Sequence, residues 1–240
     1  MVSIVIPTLN EEKILERTLK ALRVPTDFEY EIIVSDGRSI DRTLEIAHAF
    51  ADKVVVHDGL TRQTIGGGRN AGARAAAGDF ILFLDADVFI PNLNEFFATT
   101  TRLFQTRKNL VGLTVFLKVL PENVTLSDKL FFALINRLNQ FSNNFLNVGT
   151  SSGECMMIPV QIFNSIGGFN EHLVMGEDND LFSRLSKVGK TRVVTGLHVL
   201  HTSRRAHKVG WPVLLGTWWL NLLFNKLRGR SLSREWKVIR

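Results

Sequence analysis

The 240-residue sequence is nearly without cysteine, and its one thiol, Cys155, excludes both a disulfide framework and a cysteine-based zinc site. Long apolar runs are missing as well. A membrane-spanning helix needs roughly 18 to 20 apolar residues, whereas the longest candidate, residues 211–224, has roughly 14 and contains Asn221. The first residues carry neither a basic start nor a signal-peptide core, so we expect no signal peptide. A hydrophobic content of 45% nevertheless excludes a disordered chain.

An excess of acidic residues is also absent, since the formal net charge is +6. A basic chain of this kind suits nucleic acid, anionic lipid or phosphorylated ligands as partners, and composition alone does not choose among them. The length is sufficient for one large α/β domain with its own core and is short for two such domains.

Strand and helix patterns alternate through the first half of the sequence. The apolar runs that predict strands are residues 2–6, 31–35, 54–57 and 79–84. The intervening segments predict helices over residues 11–22, from Ser39 or Asp41 to about residue 50, and over residues 70–77 after a break at three glycines, residues 66–68. This order predicts an α/β fold with a mostly parallel, doubly wound sheet.

The second half is less regular. Helical patterns cover residues 92–106, 126–145, 160–166 and 178–187, and strand patterns cover residues 110–119, 155–158 and 191–200. The segment 126–145 is unusually apolar, with Leu130, Leu134, Leu138 and Phe141 at helical spacing. From residue 206 onward the chain is predicted to be helical and then basic.

The most informative motif is Asp85-Ala86-Asp87, which follows the apolar strand 79–84. In open α/β sheets ligands bind at the carboxyl ends of the strands, which is where these two carboxylates lie. One intervening residue lets both side chains reach the same cation or hydroxyl. Hard oxygen ligands suit Mg²⁺ or Mn²⁺ carrying a diphosphate.

Four further polar segments fall at comparable places: residues 7–12, 36–39, 68–72 and 176–181. In order and spacing the set resembles the family 2 glycosyltransferases of the GT-A fold over about residues 1–205. The resemblance implies a Rossmann-like catalytic domain, with its mostly parallel sheet flanked by helices. Residues 206–240 then form an added amphipathic helix with a basic tail.

The resemblance implies binding of a nucleotide-sugar donor. It assigns these residues to the nucleotide: Pro7, Thr8, Asn10, Glu11, Asp36, Arg69 and Asp85. Asp36 would pair with a ring N–H of uracil or guanine, so the donor is UDP- or GDP-linked. Arg69, read as lying at a helix N-terminus, would bind a phosphate or a base carbonyl. The same residue types are also common as helix caps and turn formers. A run of three glycines, such as residues 66–68, is typical of a mobile cover or of a surface turn.

By the same resemblance Asp87, Asp85 and His201 would hold Mn²⁺ or Mg²⁺, with His198 as a rival to His201. Arg204 and Arg205 would grip the diphosphate.

Of the acidic pair in the segment 176–181, Asp178 would be the base of an inverting transfer. Glu177 would bind hydroxyls of the acceptor or the sugar. Asp180 is typical of a helix N-terminus. The loop 149–153 resembles the one that lines the sugar site.

The acceptor is less defined by the sequence. In the family it resembles, members with a Gln-x-x-Arg-Trp motif after the last strand are processive polysaccharide synthases; this sequence lacks the motif, so the resemblance implies transfer of a single sugar. Residues 209–227 place tryptophans among leucines before a basic tail, typical of a helix on an anionic membrane, or of a core or dimer helix. We therefore expect a cytoplasmic enzyme with peripheral membrane contact and no nucleic acid. A helix that faces lipid would suit a lipid-linked acceptor, whereas the sequence alone leaves protein, glycan and small-metabolite acceptors open.

Two other functions fit the sequence less well. A nucleotidyltransferase would need a glycine- and lysine-rich loop after the first strand, where the sequence has the acidic segment 7–12. A non-catalytic module binding nucleic acid or membrane would leave four acidic motifs at strand ends without a role.

Overall fold

The computed structural model describes residues 1–122, 124–211, 213–217 and 220–221. Trp218, Trp219 and residues 222–240, which include the predicted basic tail, lie outside these ranges. Within them, every helix is too short or too polar to cross a lipid bilayer.

Strands and helices alternate along the described chain. The strands are β1 (Val2–Thr8), β2 (Tyr30–Asp36), β3 (Lys53–Val56), β4 (Phe80–Leu84), β5 (Val88–Phe89), β6 (Leu110–Val119), β7 (Cys155–Pro159) and β8 (Lys190–His201). The helices are α1 (Leu15–Leu22), α2 (Thr43–Phe50), α3 (Ile65–Arg74), α4 (Leu93–Thr106), α5 (Leu126–Phe141), α6 (Val160–Ser165), α7 (Glu177–Val188) and α8 (Arg204–Val209). A π-helix, Ser142–Leu146, directly continues α5.

All eight strands form one sheet in the order β3-β2-β1-β4-β7-β6-β8-β5. The first four strands of this order are parallel, as the alternating pattern predicts. The sheet as a whole is mixed, because β7 runs antiparallel to both β4 and β6, and β5 runs antiparallel to β8. The reversal follows from the chain path: Cys155 pairs with Leu84, so β7 starts at the edge where β4 ends.

Both faces of the sheet are buried, which explains the near-continuous apolar strands. Along β1, Ile4 and Ile6 belong to the core under α1 and α4, whereas Val5 faces the opposite core under α3 and α7. On β4 the completely buried Phe83 packs between Phe163 and Phe169, with ring centroids 5.1 and 5.0 Å away. This two-sided packing holds the carboxyl ends of the strands in fixed positions.

The starts of α1 and α2 differ from those predicted. Helix α1 begins at Leu15, not at residue 11, and Asn10 is not its cap. Asn10 has the left-handed φ of 55°, and its side-chain oxygen accepts from the backbone N–H of Ile40. Helix α2 begins at Thr43, whose backbone N–H donates to the Asp41 carboxylate.

The three glycines predicted to break the chain lie inside α3, so that prediction is wrong, as is the reading of residues 66–68 as a mobile cover. Thr64 caps the helix by accepting from the backbone N–H of Gly67, and residues 66–68 are buried. Further along the helix a small residue is needed because α3 lies directly on the sheet: a Cβ on Gly72 would stand 2.4 Å from Val5 Cγ1. Arg69 therefore projects from the second turn of α3 and does not lie at a helix N-terminus.

Candidate active site

A cavity of about 850 Å³ opens at the carboxyl ends of β1, β2 and β4. Its polar lining residues include Thr8, Glu11, Arg69, Asp85, Asp87, Glu154, Glu177, Asp178, His201 and Arg204. Its apolar lining residues include Phe131, Ile135, Leu138, Trp211 and Leu214. The cavity thus joins an acidic centre to an apolar wall made by α5 and the chain after α8.

Arg69 is the centre of the acidic cluster and is only 2% exposed. One guanidinium nitrogen donates to Glu177 Oε1 at 2.8 Å, and the other donates to Asp85 Oδ1 at 2.8 Å and to the Gly153 carbonyl at 3.0 Å. Its plane lies over the Phe169 ring, 5.3 Å from the centroid. Arg69 therefore connects α3, the end of β4, the loop before β7 and the start of α7 through charge-assisted hydrogen bonds.

Glu177 and Asp178 form the first turn of α7, after Gly176 in the left-handed conformation with φ 78°. They are 6% and 8% exposed. Since Glu177 carries the ion pair with Arg69, Asp178 has the weaker partner, the side-chain amide of Asn179 at 3.3 Å. Burial raises the pKa of Asp178 to about 7, and the negative charge of Glu177 adds to this effect. A carboxyl group with such a pKa is suited to proton transfer near neutral pH.

The loop predicted to line a sugar site does line the cavity, through residues 150–153. Gly153 has a φ of +93°, and a Cβ there would stand 3.1 Å from Asp178 Oδ2. Glycine at this position lets the loop pass close to the Asp178 carboxylate.

Glu154 was missed by the sequence analysis although it lines the same cavity. Its Oε2 atom is buried and has no hydrogen-bond partner among the described residues. Burial raises the pKa of the Glu154 carboxyl well above its usual value, and Asp85 adds to the rise. The signal available was its place directly after a glycine-rich loop at the start of a strand.

Asp87 and Glu11 are brought together by Arg204 of α8. Arg204 Nε donates to Asp87 Oδ2 at 3.0 Å, and its terminal nitrogen donates to Glu11 Oε2 at 2.9 Å. Asp87 also accepts from the Thr202 hydroxyl. Arg205 lines the same cavity. In this state the two acids are held by a cationic side chain of the protein itself.

The two histidines proposed as alternatives are separated by the strand geometry. His201 ends β8, is 7% exposed and lines the cavity, whereas His198 does not line it. Residues three apart on a strand point to opposite faces of the sheet. His201 Nδ1 accepts from the backbone N–H of Ser203, and Nε2 is buried without a partner among the described residues. Burial lowers the pKa of His201, which favours the neutral imidazole.

The donor set fits a divalent cation in part. Among the described residues, no three His, Cys, Asp or Glu side chains are gathered into a complete metal site. The cavity does offer the Asp85 and Asp87 carboxylates and the unpartnered His201 Nε2. A cation that carries a diphosphate needs only one or two protein carboxylates, since phosphate and water supply the other ligands.

The residues assigned to the nucleotide lie in two different settings. Pro7, Thr8, Glu11, Arg69 and Asp85 line the cavity. Asp36 and Asn10 do not. Asp36 is 0% exposed and accepts from the Thr8 hydroxyl and from the backbone N–H and hydroxyl of Ser39. In this structure it holds the turn after β2 to the end of β1.

The sequence profile described as glycosyl transferase family 2 matches residues 3–167. The chain belongs to glycosyl transferase family 2. It is 37% identical over 91 residues to a PGL/p-HBAD biosynthesis glycosyltransferase of Mycobacterium bovis, a segment covering 36% of this chain and 35% of that protein. It is 34% identical over 94 residues to the poly(ribitol-phosphate) beta-N-acetylglucosaminyltransferase TarS of Staphylococcus aureus, a segment covering 37% of this chain and 16% of TarS. These matches span about a third or less of the curated relatives' length.

The glycosyl transferase family 2 chain also has the fold of solved glycosyltransferases. One is the mannosyltransferase PcManGT from Pyrobaculum calidifontis in complex with GDP-Man and Mn²⁺. The match covers 96% of this chain and 65% of the PcManGT chain, with a TM-score of 0.73 and 16% identity. Another is glucosyl-3-phosphoglycerate synthase from Mycobacterium tuberculosis in complex with Mn²⁺, UDP and phosphoglyceric acid. The match covers 95% of this chain and 77% of the synthase chain, with a TM-score of 0.62 and 21% identity. At these identities the likeness establishes the GT-A fold.

Proposed function

We propose that the protein is an inverting, metal-dependent glycosyltransferase that moves a single sugar from a UDP- or GDP-sugar to an acceptor hydroxyl or phosphate. The observation that carries the proposal is the convergence of Asp85, Asp87, Glu177 and Asp178 on one cavity around Arg69. Family membership and the two structural neighbours bound to GDP-Man or UDP support the same donor class.

In this proposal the donor occupies the side of the cavity next to β1 and β4. Thr8 and Glu11 bind the nucleoside, and Pro7 lies against it. Asp36 and Asn10 set the shape of the loops around the base. Arg69 positions the Asp85 carboxylate toward the ribose, since both of its terminal nitrogens are bound to protein oxygens.

Asp87, Asp85 and His201 would hold Mn²⁺ or Mg²⁺ beside the diphosphate. When bound, the cation neutralises charge on the leaving nucleoside diphosphate. Arg204 and Arg205 add positive charge, because both line the cavity and Arg204 contacts Asp87.

Asp178 acts as the base. It takes the proton of the acceptor hydroxyl as the oxygen attacks the sugar carbon from the side opposite the diphosphate, which inverts the configuration. Glu177 binds hydroxyls of the acceptor or the sugar while it holds Arg69. Glu154 lies at the same wall, and its Oε2, unpartnered among the described residues, is available to bond a sugar hydroxyl.

The acceptor is a molecule with an apolar part next to its nucleophile, for example a lipid-linked one. The apolar wall of the cavity supports this choice, since Phe131, Ile135 and Leu138 face the same space as the acidic centre. A peripheral position on the cytoplasmic face of a membrane would supply such an acceptor.

A thermal-shift panel of UDP, GDP, ADP, CMP and dTDP, with and without Mn²⁺, tests the donor site. We expect UDP or GDP to raise the melting temperature only with Mn²⁺, because a ligand that binds the native state stabilises it by mass action. The Asp87→Ala variant should lose the shift. Asp27→Ala, which removes an acid far along the surface, should keep it. A folded wild-type sample with no shift for any nucleotide would contradict the donor-site assignment.

Arg204 is expected to compete with the cation for Asp87. The Arg204→Ala variant should bind Mn²⁺ about fivefold more tightly than wild type in the absence of nucleotide, because a partly exposed ion pair contributes about 1 kcal/mol. Isothermal titration with Mn²⁺ measures this directly. Equal or weaker binding by the variant would show that the Arg204–Asp87 contact does not oppose the cation.

A further inference from the structure

A row of large apolar side chains lies on the solvent side of α5 and of the π-helix that continues it. Its members are Leu126, Leu130, Leu134, Leu138, Phe141, Phe145 and Leu146, and we call them the α5 ridge. Their exposed fractions run from 52% at Leu138 to 73% at Leu126. The spacing of four residues places the leucines in one stripe, about 18 Å long from Leu126 to Leu138. A contiguous apolar surface of this kind marks an interaction site.

The α5 ridge is not the face with which the helix joins the core. Asp128, Phe132 and Asn136 form the buried face. The Asn136 side chain both accepts from the backbone N–H of Leu117 and donates to its carbonyl, which fixes the helix on β6. The orientation of the helix is therefore set, and the ridge faces outward.

A second cavity, of about 250 Å³, lies at the far end of the ridge beside Phe145. We call it the basic pocket; its polar lining is Arg107, Asn109, Asn143, Asn144, Asn147, Lys190, Thr191 and Arg192. None of the three cationic side chains forms an ion pair with a carboxylate of the described chain. Burial and the positive charge of Arg107 lower the pKa of Arg192, which reports two like charges facing one another. Such a pocket is complementary to an anion.

The basic pocket and the α5 ridge are held together by the π-helix. The Asn144 side chain exchanges two hydrogen bonds with the backbone of Val193, at 2.9 and 3.0 Å. Asn147 donates to the Ser186 carbonyl at the end of α7. Phe145 thus stays beside Arg192 and Lys190.

Negative charge is nearly absent around this surface. Residues 124–153 contain one acidic residue, Asp128, which is 0% exposed and accepts from His207, Trp211 and Thr125. The exposed Lys129 and Arg137 lie on the same helix as the ridge. The surface therefore combines apolar side chains with uncompensated positive charge.

We propose that the α5 ridge and the basic pocket dock the protein on a bilayer that contains anionic phospholipid, the ridge lying among the acyl chains and the pocket binding a lipid phosphate. This inference rests on the proposed function for the peripheral membrane contact and names the surface that makes it. Amphipathic helices with basic residues bind anionic membranes in this way. Leu138 of the ridge also lines the active-site cavity, together with Phe131 and Ile135 on the adjoining face of α5, so an acceptor anchored in the bilayer would enter along the apolar wall.

A second copy of the chain fits this surface less well. In a twofold interface a patch meets the same patch. Among the described residues, the α5 ridge offers no exposed carboxylate to Arg107 or Arg192, so pairing would leave the basic pocket without an anion.

Co-sedimentation with vesicles tests the ridge. Wild-type protein should bind vesicles that mix phosphatidylcholine with phosphatidylglycerol, and should bind pure phosphatidylcholine vesicles at least about tenfold more weakly. Leu130→Glu/Leu134→Glu should lower binding to the mixed vesicles at least about tenfold. The control is Ile40→Glu/Leu60→Glu, which adds the same negative charge at two side chains outside the ridge that are 93% and 101% exposed. This control should bind the mixed vesicles at least about four times as well as the ridge variant.

The pocket has its own variant. Arg107→Gln/Arg192→Gln should lower binding to the mixed vesicles about tenfold and leave binding to pure phosphatidylcholine unchanged. Lys20→Gln/Arg42→Gln removes the same charge from α1 and α2, where surface ion pairs hold it, and should have a smaller effect. An equal loss of vesicle binding in both variants would show that the basic pocket contributes only through the net charge of the protein. That result would overturn the proposed role of the pocket.

The oligomeric state and nucleotide binding separate the remaining outcomes. A wild-type protein that ignores both vesicle types, and whose dimer dissociates in the ridge variant, would overturn the proposal in favour of a second copy. The nucleotide shift should persist in every variant, because none of them alters the donor site. Vesicle binding without any nucleotide shift would contradict the proposed function alone, and a nucleotide shift without vesicle binding would contradict this inference alone.

Discussion

Replacing Asp178 with asparagine should lower the rate of sugar transfer about 10³-fold, because a positioned general base contributes about 10² to 10⁴ in rate. The amide keeps the size of the side chain and its contact with Asn179, but it cannot accept the acceptor's proton. Nucleotide binding should be retained, since the donor residues lie on other elements. A steady-state assay of nucleoside diphosphate release, together with the thermal shift, measures both quantities.

The pH dependence of the wild-type enzyme gives a second reading of the same group. The base works only when ionised, so kcat/KM should fall as the pH drops through about 7, the value to which burial raises the pKa of Asp178. A carboxyl group whose pKa is raised in the folded state contributes stability that is lost as the pH rises through that pKa. Asp178→Asn removes the buried charge and should therefore be more stable than wild type above pH 7, although it is inactive.

Asp180 provides the matched control. It lies two residues further along α7 and forms a partly exposed ion pair with Arg184 at 2.7 Å. Asp180→Asn should keep most of the activity and lose at most about 1 kcal/mol of stability. An Asp178→Asn enzyme within about tenfold of wild type would remove Asp178 from the role of base, since that loss is smaller than general-base catalysis explains.

The strands that carry the site were predictable, because their apolar runs are continuous and end at polar residues. The run 79–84 predicted β4, and Asp85 and Asp87 do lie at the carboxyl edge of the sheet. Helix α3 was not predicted in its full length. Local propensity treats three glycines as a break, whereas in the fold they are buried inside α3, directly after the Thr64 cap.

The contacts of Arg69 could not be read from the sequence. Its partner Glu177 is 108 residues away, and nothing local indicates that the two side chains share a buried site. The direction in which the apolar face of α5 points could not be predicted from its periodicity either. Leucines four residues apart predict an apolar face, but only the tertiary structure shows that this face points to solvent while Asp128 and Asn136 point inward.

Replacing Arg69 with methionine should have the largest effect on folding. Removing one partner from a buried ion pair costs about 3 to 5 kcal/mol, because the remaining charge is left without compensation. In a chain of this size such a loss lowers the melting temperature by about 6 to 20 °C. Arg42→Met is the control: its ion pair with Glu45 is 70% and 64% exposed, and losing it should cost at most about 1 kcal/mol.

The pH dependence of this loss identifies its cause. Burial already raises the pKa of Glu177, and Arg69 opposes the rise. Without the guanidinium the pKa of Glu177 rises further, so the folded variant binds protons more strongly than the unfolded chain and loses stability as the pH increases. Denaturant unfolding should therefore show a larger deficit for Arg69→Met at pH 8 than at pH 5.5, and a constant deficit would point to lost packing against Phe169. Arg69→Lys keeps a positive charge but lacks the forked guanidinium that reaches Asp85 and Glu177 together. Its stability should therefore lie between those of the wild type and Arg69→Met. If it also keeps the nucleotide shift, Arg69 acts by holding the acids in place and does not itself bind the donor.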